Sequence, residues 1–118
     1  MQINIQALGF PLTDALRERV KRRMGFALGG RDEHIQRIEV RLLDINGPKG
    51  GKDMCCQIHV VLGGMPDVVI KDVETDLYVA IDRAFDRAGR SVARQLSRRT
   101  TSATRSDFRH LAISELQQ

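Results

Sequence analysis

The sequence predicts an α+β fold with the element order β-α-β-β-β-α, and three observations support that prediction. Alternating apolar and polar residues indicate four short strands. Apolar residues at steps of three and four indicate two helices. Short turns join the last three strands, whereas a helix-length segment separates the first two, which favours one parallel and two antiparallel pairings. We therefore expect a two-layer sandwich, a four-stranded mixed sheet with both helices on one face.

The first strand and first helix are marked by local signals. Residues 3–7 alternate between apolar and polar side chains and predict the strand. Thr13 offers a hydroxyl cap, and Asp14 places negative charge in the first helical turn, where it is favourable. Gly29-Gly30 is expected to end the helix. The apolar stripe of this helix is predicted to be Leu16, Val20, Met24 and Ala27.

Three further strands are predicted at residues 38–45, 56–62 and 68–73. The glycine-rich stretch NGPKGGKD, residues 46–53, is a turn by composition. The sheet face away from the helices is expected to meet solvent or a partner through Glu39, Arg41, Gln57, His59 and Lys71. Cys55 and Cys56 are neighbours in a strand and so point to opposite faces, which predicts one buried and one half-exposed thiol rather than a disulfide or metal site.

The second helix, starting near Thr75, has one apolar side and one arginine side. The apolar side is Leu77, Ile81, Phe85, Ala88, Val92 and Leu96. The arginine side is Arg83, Arg87, Arg90, Arg94 and Arg98, extended by Arg99. At about 100° per residue, the first five arginines point within roughly 80° of one another and away from the apolar side. Such a row of guanidinium groups suits a polyanion, with RNA as the leading candidate.

Positive charge is concentrated rather than spread along the chain. The net charge is +4, yet residues 83–118 carry eight basic against three acidic residues, while residues 1–82 are nearly balanced. A second concentration lies in the first helix, where Arg17, Lys21, Arg22 and Arg23 stand close together. The alternative interpretation is that both stretches are ordinary solvated helix surface.

Several function classes are not expected. His34, His59 and His110 have no carboxylate or nucleophile at a motif spacing, so we predict no catalytic residue and no enzyme activity. The glycine-rich stretches lack the Gly-Lys-Ser/Thr signature of a phosphate-binding loop. We therefore expect no cofactor, metal or small-molecule substrate. No signal peptide or membrane-spanning run is present in the sequence, which favours a cytoplasmic protein with no membrane partner.

The chain is expected to form one domain over residues 1–99, followed by a polar and flexible tail over residues 100–118. Four stretches of that domain, MQINI, LTDALRERVKRR, DLYVAIDRAFDR and ARQLSRR, are similar to patterns of the ribosome hibernation-promoting factors, also called ribosome-associated inhibitor or sigma-modulation proteins. The DLYVAID stretch followed by RQL is the most specific part of this resemblance, which covers about residues 1–99.

The resemblance implies the same β-α-β-β-β-α fold and a definite function. Such proteins bind the small ribosomal subunit in the channel for messenger and transfer RNA and stop translation in starved, stationary-phase cells. Their contacts are basic side chains on rRNA phosphates, which at matching positions are Arg17, Arg23, Arg87, Arg94, Gln95 and Arg98. Together with the charge pattern, the predicted RNA-binding set is Arg17, Lys21, Arg22, Arg23, Arg83, Arg87, Arg90, Arg94, Gln95, Arg98 and Arg99.

Two departures from the family pattern bear on this prediction. The stretch AGRSV adds about four residues to the second helix, which either lengthens it by roughly one turn or bulges at Gly89. The sequence also lacks the second domain by which long members pair ribosomes, so self-driven pairing is not expected, and self-association of the chain itself is left open. Two other functions remain alternatives: a protein-interaction regulatory module that uses the open sheet face or the tail, and a general double-stranded-RNA binder.

Overall fold

The predicted fold is confirmed by the structure, a computed structural model that describes residues 2–45 and 53–112, with side chains described for 2–45 and 53–98. The elements are β1 (Gln2–Leu8), α1 (Asp14–Leu28), a short 3-10 helix (Asp32–His34), β2 (Ile35–Asp44), β3 (Met54–Leu62), β4 (Val68–Glu74) and α2 (Leu77–Ala112). The predicted turn at residues 46–53 lies outside the described residues except for Asp53.

The sheet has the strand order β1-β2-β3-β4. β1 pairs with β2 in parallel, and the other neighbours are antiparallel, as the lengths of the connections predicted. In register, Val40 of β2 lies opposite Ile58 of β3, which lies opposite Ile70 of β4. These residues point to the same face because side chains alternate along a strand. All three are buried, and they form the floor on which the helices pack.

The core lies between the sheet and the two helices. From α1 it takes Leu16, Val20, Met24 and Leu28, and from α2 it takes Leu77, Ala80, Ile81, Ala84, Phe85, Ala88 and Val92. The predicted α1 stripe was correct for its first three members. Ala27 is only half buried, because it faces α2 rather than the sheet, and Leu28 occupies the core position instead.

The predicted ends of α1 are confirmed. Leu16 N donates a hydrogen bond of 3.2 Å to the Thr13 hydroxyl, which satisfies one of the free amides of the first turn. Gly29 follows as the C-cap, and Gly30 has a φ of +83°. That left-handed conformation suits glycine, since it has no Cβ to clash with the backbone.

Helix α2 is longer than the sequence analysis expected. It starts at Leu77, where Tyr78 N donates to Asp76 Oδ1 at 2.9 Å, and it continues without a break through Gly89 to Ala112. The four extra residues therefore lengthen the helix rather than form a bulge. Residues 90–112 contain no glycine or proline, so nothing local ends the helix near Arg99. Flexibility of the segment 100–118 stays a prediction, and residues 113–118 lie outside the described residues.

The expectation of one half-exposed thiol is wrong, because both cysteines are buried. Cys56 points into the core. Cys55 points to the opposite face, where its neighbours in register are the apolar Leu43 and Val73. Burial raises the pKa of both thiols, that of Cys56 well above its ordinary value of 9.0. Thiolate is the reactive form, so both groups are chemically quiet near neutral pH.

Candidate nucleic-acid interface

The two helices lie side by side and run in the same direction over the sheet. Arg19 of α1 contacts Asp82 of α2, and two turns further along both helices Ala27 lies against Gly89. A Cβ at Gly89 would lie 2.8 Å from the carbonyl oxygen of Ala27, which is closer than real Cβ contacts. The absence of a side chain at Gly89 therefore allows the backbones to approach closely, and the basic stretches of both helices share one layer.

The space between the helices holds an acidic centre with cations around it. Arg19 Nη1 donates to both carboxylate oxygens of Asp82, at 3.1 and 2.8 Å. Arg23 Nε lies 3.4 Å from Asp82 Oδ1. The Arg19 guanidinium also lies 5.0 Å from the centre of the Tyr78 ring, a cation–π distance. We call these four residues the groove cluster. Its single carboxylate compensates one of the two guanidinium charges and draws both arginines toward the centre of the groove.

The solvent side of α2 carries a second compensated pair. Arg90 Nη1 donates to Asp86 Oδ2 at 2.6 Å, and the two residues are one helical turn apart. Arg83 is similarly close to carboxylates, with its Nε 3.3 Å from Glu74 and 3.7 Å from Asp72 of strand β4. Both arginines belong to the predicted RNA-binding set, and the structure gives each of them an acidic partner.

Three other arginines of α2 lie along strand β4 without such partners. Arg87 Nη1 donates to the backbone carbonyl of Lys71 at 2.9 Å, and Arg94 Nη2 donates to the Ser91 hydroxyl at 3.2 Å. Arg98, with Arg94 and Gln95, lines a cleft against residues 67–70. We call Arg87, Arg94 and Arg98 the β4 flank. None of the three has a carboxylate within ion-pair distance among the side chains that the structure describes, and all three are exposed.

The basic residues of α1 divide in the same way. Lys21 lines a depression beside Ile3 of β1, so it lies on the side of α1 away from α2. Arg17 precedes it by one turn and shares that side, and Arg22 is also exposed. In the described ranges 2–45 and 53–98, no carboxylate pairs with these three cations. Arg99 belongs to α2 by its backbone, and its side chain lies outside the described set.

The predicted row of cations is therefore divided rather than continuous. The structure places one group of unpaired cations on the β4 flank and another on the outer side of α1, with compensated residues between them. The sequence analysis singled out neither Asp82 nor Arg19. The positions of Arg19 and Arg23, one turn apart, were a usable signal, because both then face a single neighbour.

Sequence reasoning also missed Phe26. Its side chain is 77% exposed and lies beside Arg31 and Arg90. The signal was present in the sequence: Phe26 follows Met24 by two residues, which at about 100° per residue places it on the opposite side of α1 from the buried stripe.

The fold and its cationic helix layer define a two-layer α+β domain suited to binding a polyanion. The chain belongs to the family of sigma 54 modulation proteins and S30EA ribosomal proteins, whose family model matches residues 3–100. The resemblance found in the sequence is thereby confirmed. No curated protein sequence matches the chain.

Two solved structures share the fold. One is the N-terminal domain of protein Y from Thermus thermophilus, with 30% sequence identity, a TM-score of 0.65, and coverage of 80% of this chain and 98% of that one. The other is a ribosomal subunit interface protein from Coxiella burnetii, with 18% identity, a TM-score of 0.69, and coverage of 82% of this chain and 99% of that one. At that identity, the second likeness bears on the fold alone.

Two kinds of feature are absent from the described part of the structure. Within residues 2–45 and 53–112, neither helix has both the length and the apolar character that crossing a bilayer requires. In the same part of the chain, no three side chains among His, Cys, Asp and Glu come together as a metal site.

Proposed function

We propose that this protein binds the small ribosomal subunit in the cytoplasm of stressed cells and stops translation by occupying the channel for messenger and transfer RNA. Its membership of a ribosome-associated family supports the partner. The observation that carries the proposal is the β4 flank, three exposed guanidinium groups along one side of α2 with no acidic partner among the described side chains. The protein acts as an inhibitor by occupancy, without catalysis.

Phosphate contacts explain how such a surface would hold rRNA. Each guanidinium that reaches a phosphate releases a condensed counterion, so affinity falls steeply as salt rises. The contacts fix position without reading sequence, and folded RNA is recognised largely by shape and backbone. Gln95 lines the same cleft as Arg94 and Arg98 and adds a neutral hydrogen-bonding group there.

The remaining basic residues fall into two groups under this proposal. Arg17, Lys21 and Arg22 are unpaired in the described structure and would contact phosphates directly. Arg23, Arg83 and Arg90 already have carboxylate partners, so RNA has to replace those partners before it can use them. The β4 flank is therefore expected to contribute most to affinity.

The test is co-sedimentation with purified small subunits at increasing salt. The wild type is expected to bind at low salt and to release progressively as salt rises. A triple variant, Arg87→Glu, Arg94→Glu and Arg98→Glu, is expected to lose binding, because three phosphate contacts become repulsive. Its circular dichroism and thermal unfolding should stay close to wild type, since these side chains are exposed.

A matched control lies on the open sheet face. Arg37→Glu, Arg41→Glu and Lys71→Glu make the same change in net charge, from +4 to −2, since each of three substitutions subtracts two charges. This variant is expected to keep most of the binding. The proposal fails if the two triple variants lose binding equally, because net charge alone would then explain the association.

Two further measurements separate the alternatives. Competition with plain duplex RNA should not displace the protein from subunits, whereas a general duplex binder would be displaced. If a regulatory protein binds the open sheet face, the variant at Arg37, Arg41 and Lys71 should lose that binding and the β4 flank variant should keep it. Binding of small subunits is expected to show the reverse pattern. Added protein should also inhibit translation in a purified system in proportion to subunits occupied.

A further inference from the structure

Phe26 is the most exposed of the large apolar side chains in the described structure, with 77% of its surface accessible. It is on α1, on the side opposite the buried stripe of Leu16, Val20 and Met24. A phenylalanine there gains nothing from the core and leaves an apolar ring in water. Isolated exposed apolar residues are common, so the surroundings of the ring decide whether it has a role.

Those surroundings are a shallow depression between the two helices. Its floor is formed by residues with little or no side chain, Ala27, Gly89 and Ala93, and its walls include Arg31 and Arg90. Asp86 also lines it and is held by Arg90 at 2.6 Å, so its charge is compensated. Arg22 lies one turn before Phe26 on the same helix and is exposed.

The depression combines an aromatic face with one unpaired cation, Arg31, and a second unpaired cation, Arg22, stands one turn before Phe26 on α1. Arg31 and Arg22 have no carboxylate within ion-pair distance in the described portion of the chain. A nucleotide has the complementary composition, an aromatic base joined to a phosphate. An apolar protein side chain would be a poorer match, because a single ring among guanidinium groups provides little apolar area beyond itself.

We propose that Phe26 is a stacking platform for one unpaired base of the bound RNA, with Arg22 and Arg31 holding the phosphates beside that base. This inference rests on the proposed function and adds a second kind of contact to it. Stacking on an aromatic side chain accepts any base, since every base has a π face, so no sequence preference is expected. The helix layer would then bind both RNA backbone and one exposed base.

The absence of tryptophan from the chain provides a direct probe. Phe26→Trp introduces a single tryptophan at the site, and its fluorescence is expected to be quenched when small subunits are added, because the indole stacks on a base. The same variant should bind with wild-type affinity or better. A variant with tryptophan on the open sheet face, Leu8→Trp, should show no quenching.

Affinity measurements test the energetic role. Phe26→Ala and Phe26→Leu are each expected to weaken binding about tenfold or more, in the range found when stacking on one base is lost. The slope of log affinity against log salt concentration should not change, since stacking releases no counterions. Leu8→Ala, at another exposed apolar residue, is the control and should bind as wild type.

Three outcomes would overturn the inference: unchanged affinity for Phe26→Ala, wild-type affinity for Phe26→Leu, or no quenching for a bound Phe26→Trp. Wild-type affinity for Phe26→Leu would indicate a simple apolar contact with a ribosomal protein. If the β4 flank variant loses binding while Phe26→Ala does not, only the stacking platform fails. If the β4 flank variant binds as wild type, the proposed function itself fails.

Discussion

The groove cluster and the β4 flank both contain arginines of the helix layer, and those arginines behave differently. In the groove cluster, Arg19 and Arg23 converge on Asp82. On the β4 flank, Arg87 and Arg94 hydrogen bond only to a backbone carbonyl and a hydroxyl, which are neutral groups. A guanidinium bound to a neutral acceptor keeps its full charge for an outside partner. The number of arginines on a helix therefore does not measure the charge that it offers.

This difference has a simple geometric origin. The groove lies between two helices that approach closely at Gly89, so side chains from both helices meet there and opposite charges find each other. The β4 flank lies at the outer edge of the helix layer, where Val68, Val69 and Ile70 of the edge strand and the preceding Asp67 line the cleft. Close packing favours internal pairing, and an outer edge leaves cations available. The groove cluster then stabilises the helix pair, whereas the arginines of the β4 flank stay available to the proposed RNA partner.

The largest effect on stability is expected from adding a side chain at Gly89, where the two helices approach closely. Gly89→Ala places a methyl group 2.8 Å from the Ala27 carbonyl and has to push the helices apart. Forced repacking of this kind costs about 1–3 kcal/mol, more than the gain of up to about 1 kcal/mol from replacing glycine within a helix. We expect a clear fall in melting temperature, measured by circular dichroism.

Gly25→Ala is the matched control for that prediction. Gly25 is also within a helix, but a Cβ there would meet nothing within 4 Å. The same substitution should therefore raise the free energy of unfolding by up to about 1 kcal/mol through helix propensity alone. Equal effects at the two glycines would show that the helices do not depend on the close approach at Gly89.

A smaller effect is expected from removing the acid of the groove cluster. Asp82→Asn keeps the shape of the side chain and leaves Arg19 and Arg23 without a charged partner. We expect a loss of about 1 kcal/mol in the free energy of unfolding, since the pair is only partly exposed. Affinity for small subunits should rise at low salt, because two guanidinium groups become available to phosphates.

The comparison variant is Asp86→Asn, which removes the exposed partner of Arg90. Its effect on stability should be close to zero, because exposed pairs contribute little. If Asp82→Asn lowers affinity instead of raising it, the groove cluster is part of the binding surface as it stands, and the contrast with the β4 flank is wrong.

The strands and helices could be predicted because they depend on local patterns. Alternation in the strands and the stripe of α1 follow from which side chains are buried, and Thr13 and Gly29 act on their nearest neighbours. The burial of Cys55 could not be predicted in this way, because it depends on Leu43 and Val73 in adjacent strands. Alternation along one strand says nothing about what covers its other face.

The site was predicted less well for the same reason. The spacing of the arginines placed them on one side of α2, and that placement agrees with the exposed positions of Arg87, Arg94 and Arg98. It did not reveal that Glu74 of β4 reaches Arg83 or that Asp82 binds cations from α1. Both contacts join side chains of different elements, so charge availability becomes visible only once the packing of those elements is known.

The smallest effects on affinity and stability are expected when one arginine from each region is replaced by alanine. This comparison is also the most specific. Arg94→Ala should lower affinity for small subunits by several-fold. The slope of log affinity against log salt concentration should become less steep by about 0.9, the change for one phosphate contact. Its melting temperature should not move, because its hydrogen bond goes to an exposed hydroxyl. Arg23→Ala should do the opposite, with a lower melting temperature and an unchanged salt slope, because its partner is Asp82. A salt slope that falls equally in both variants would mean that RNA replaces Asp82 on binding, and the two regions would then act as one surface.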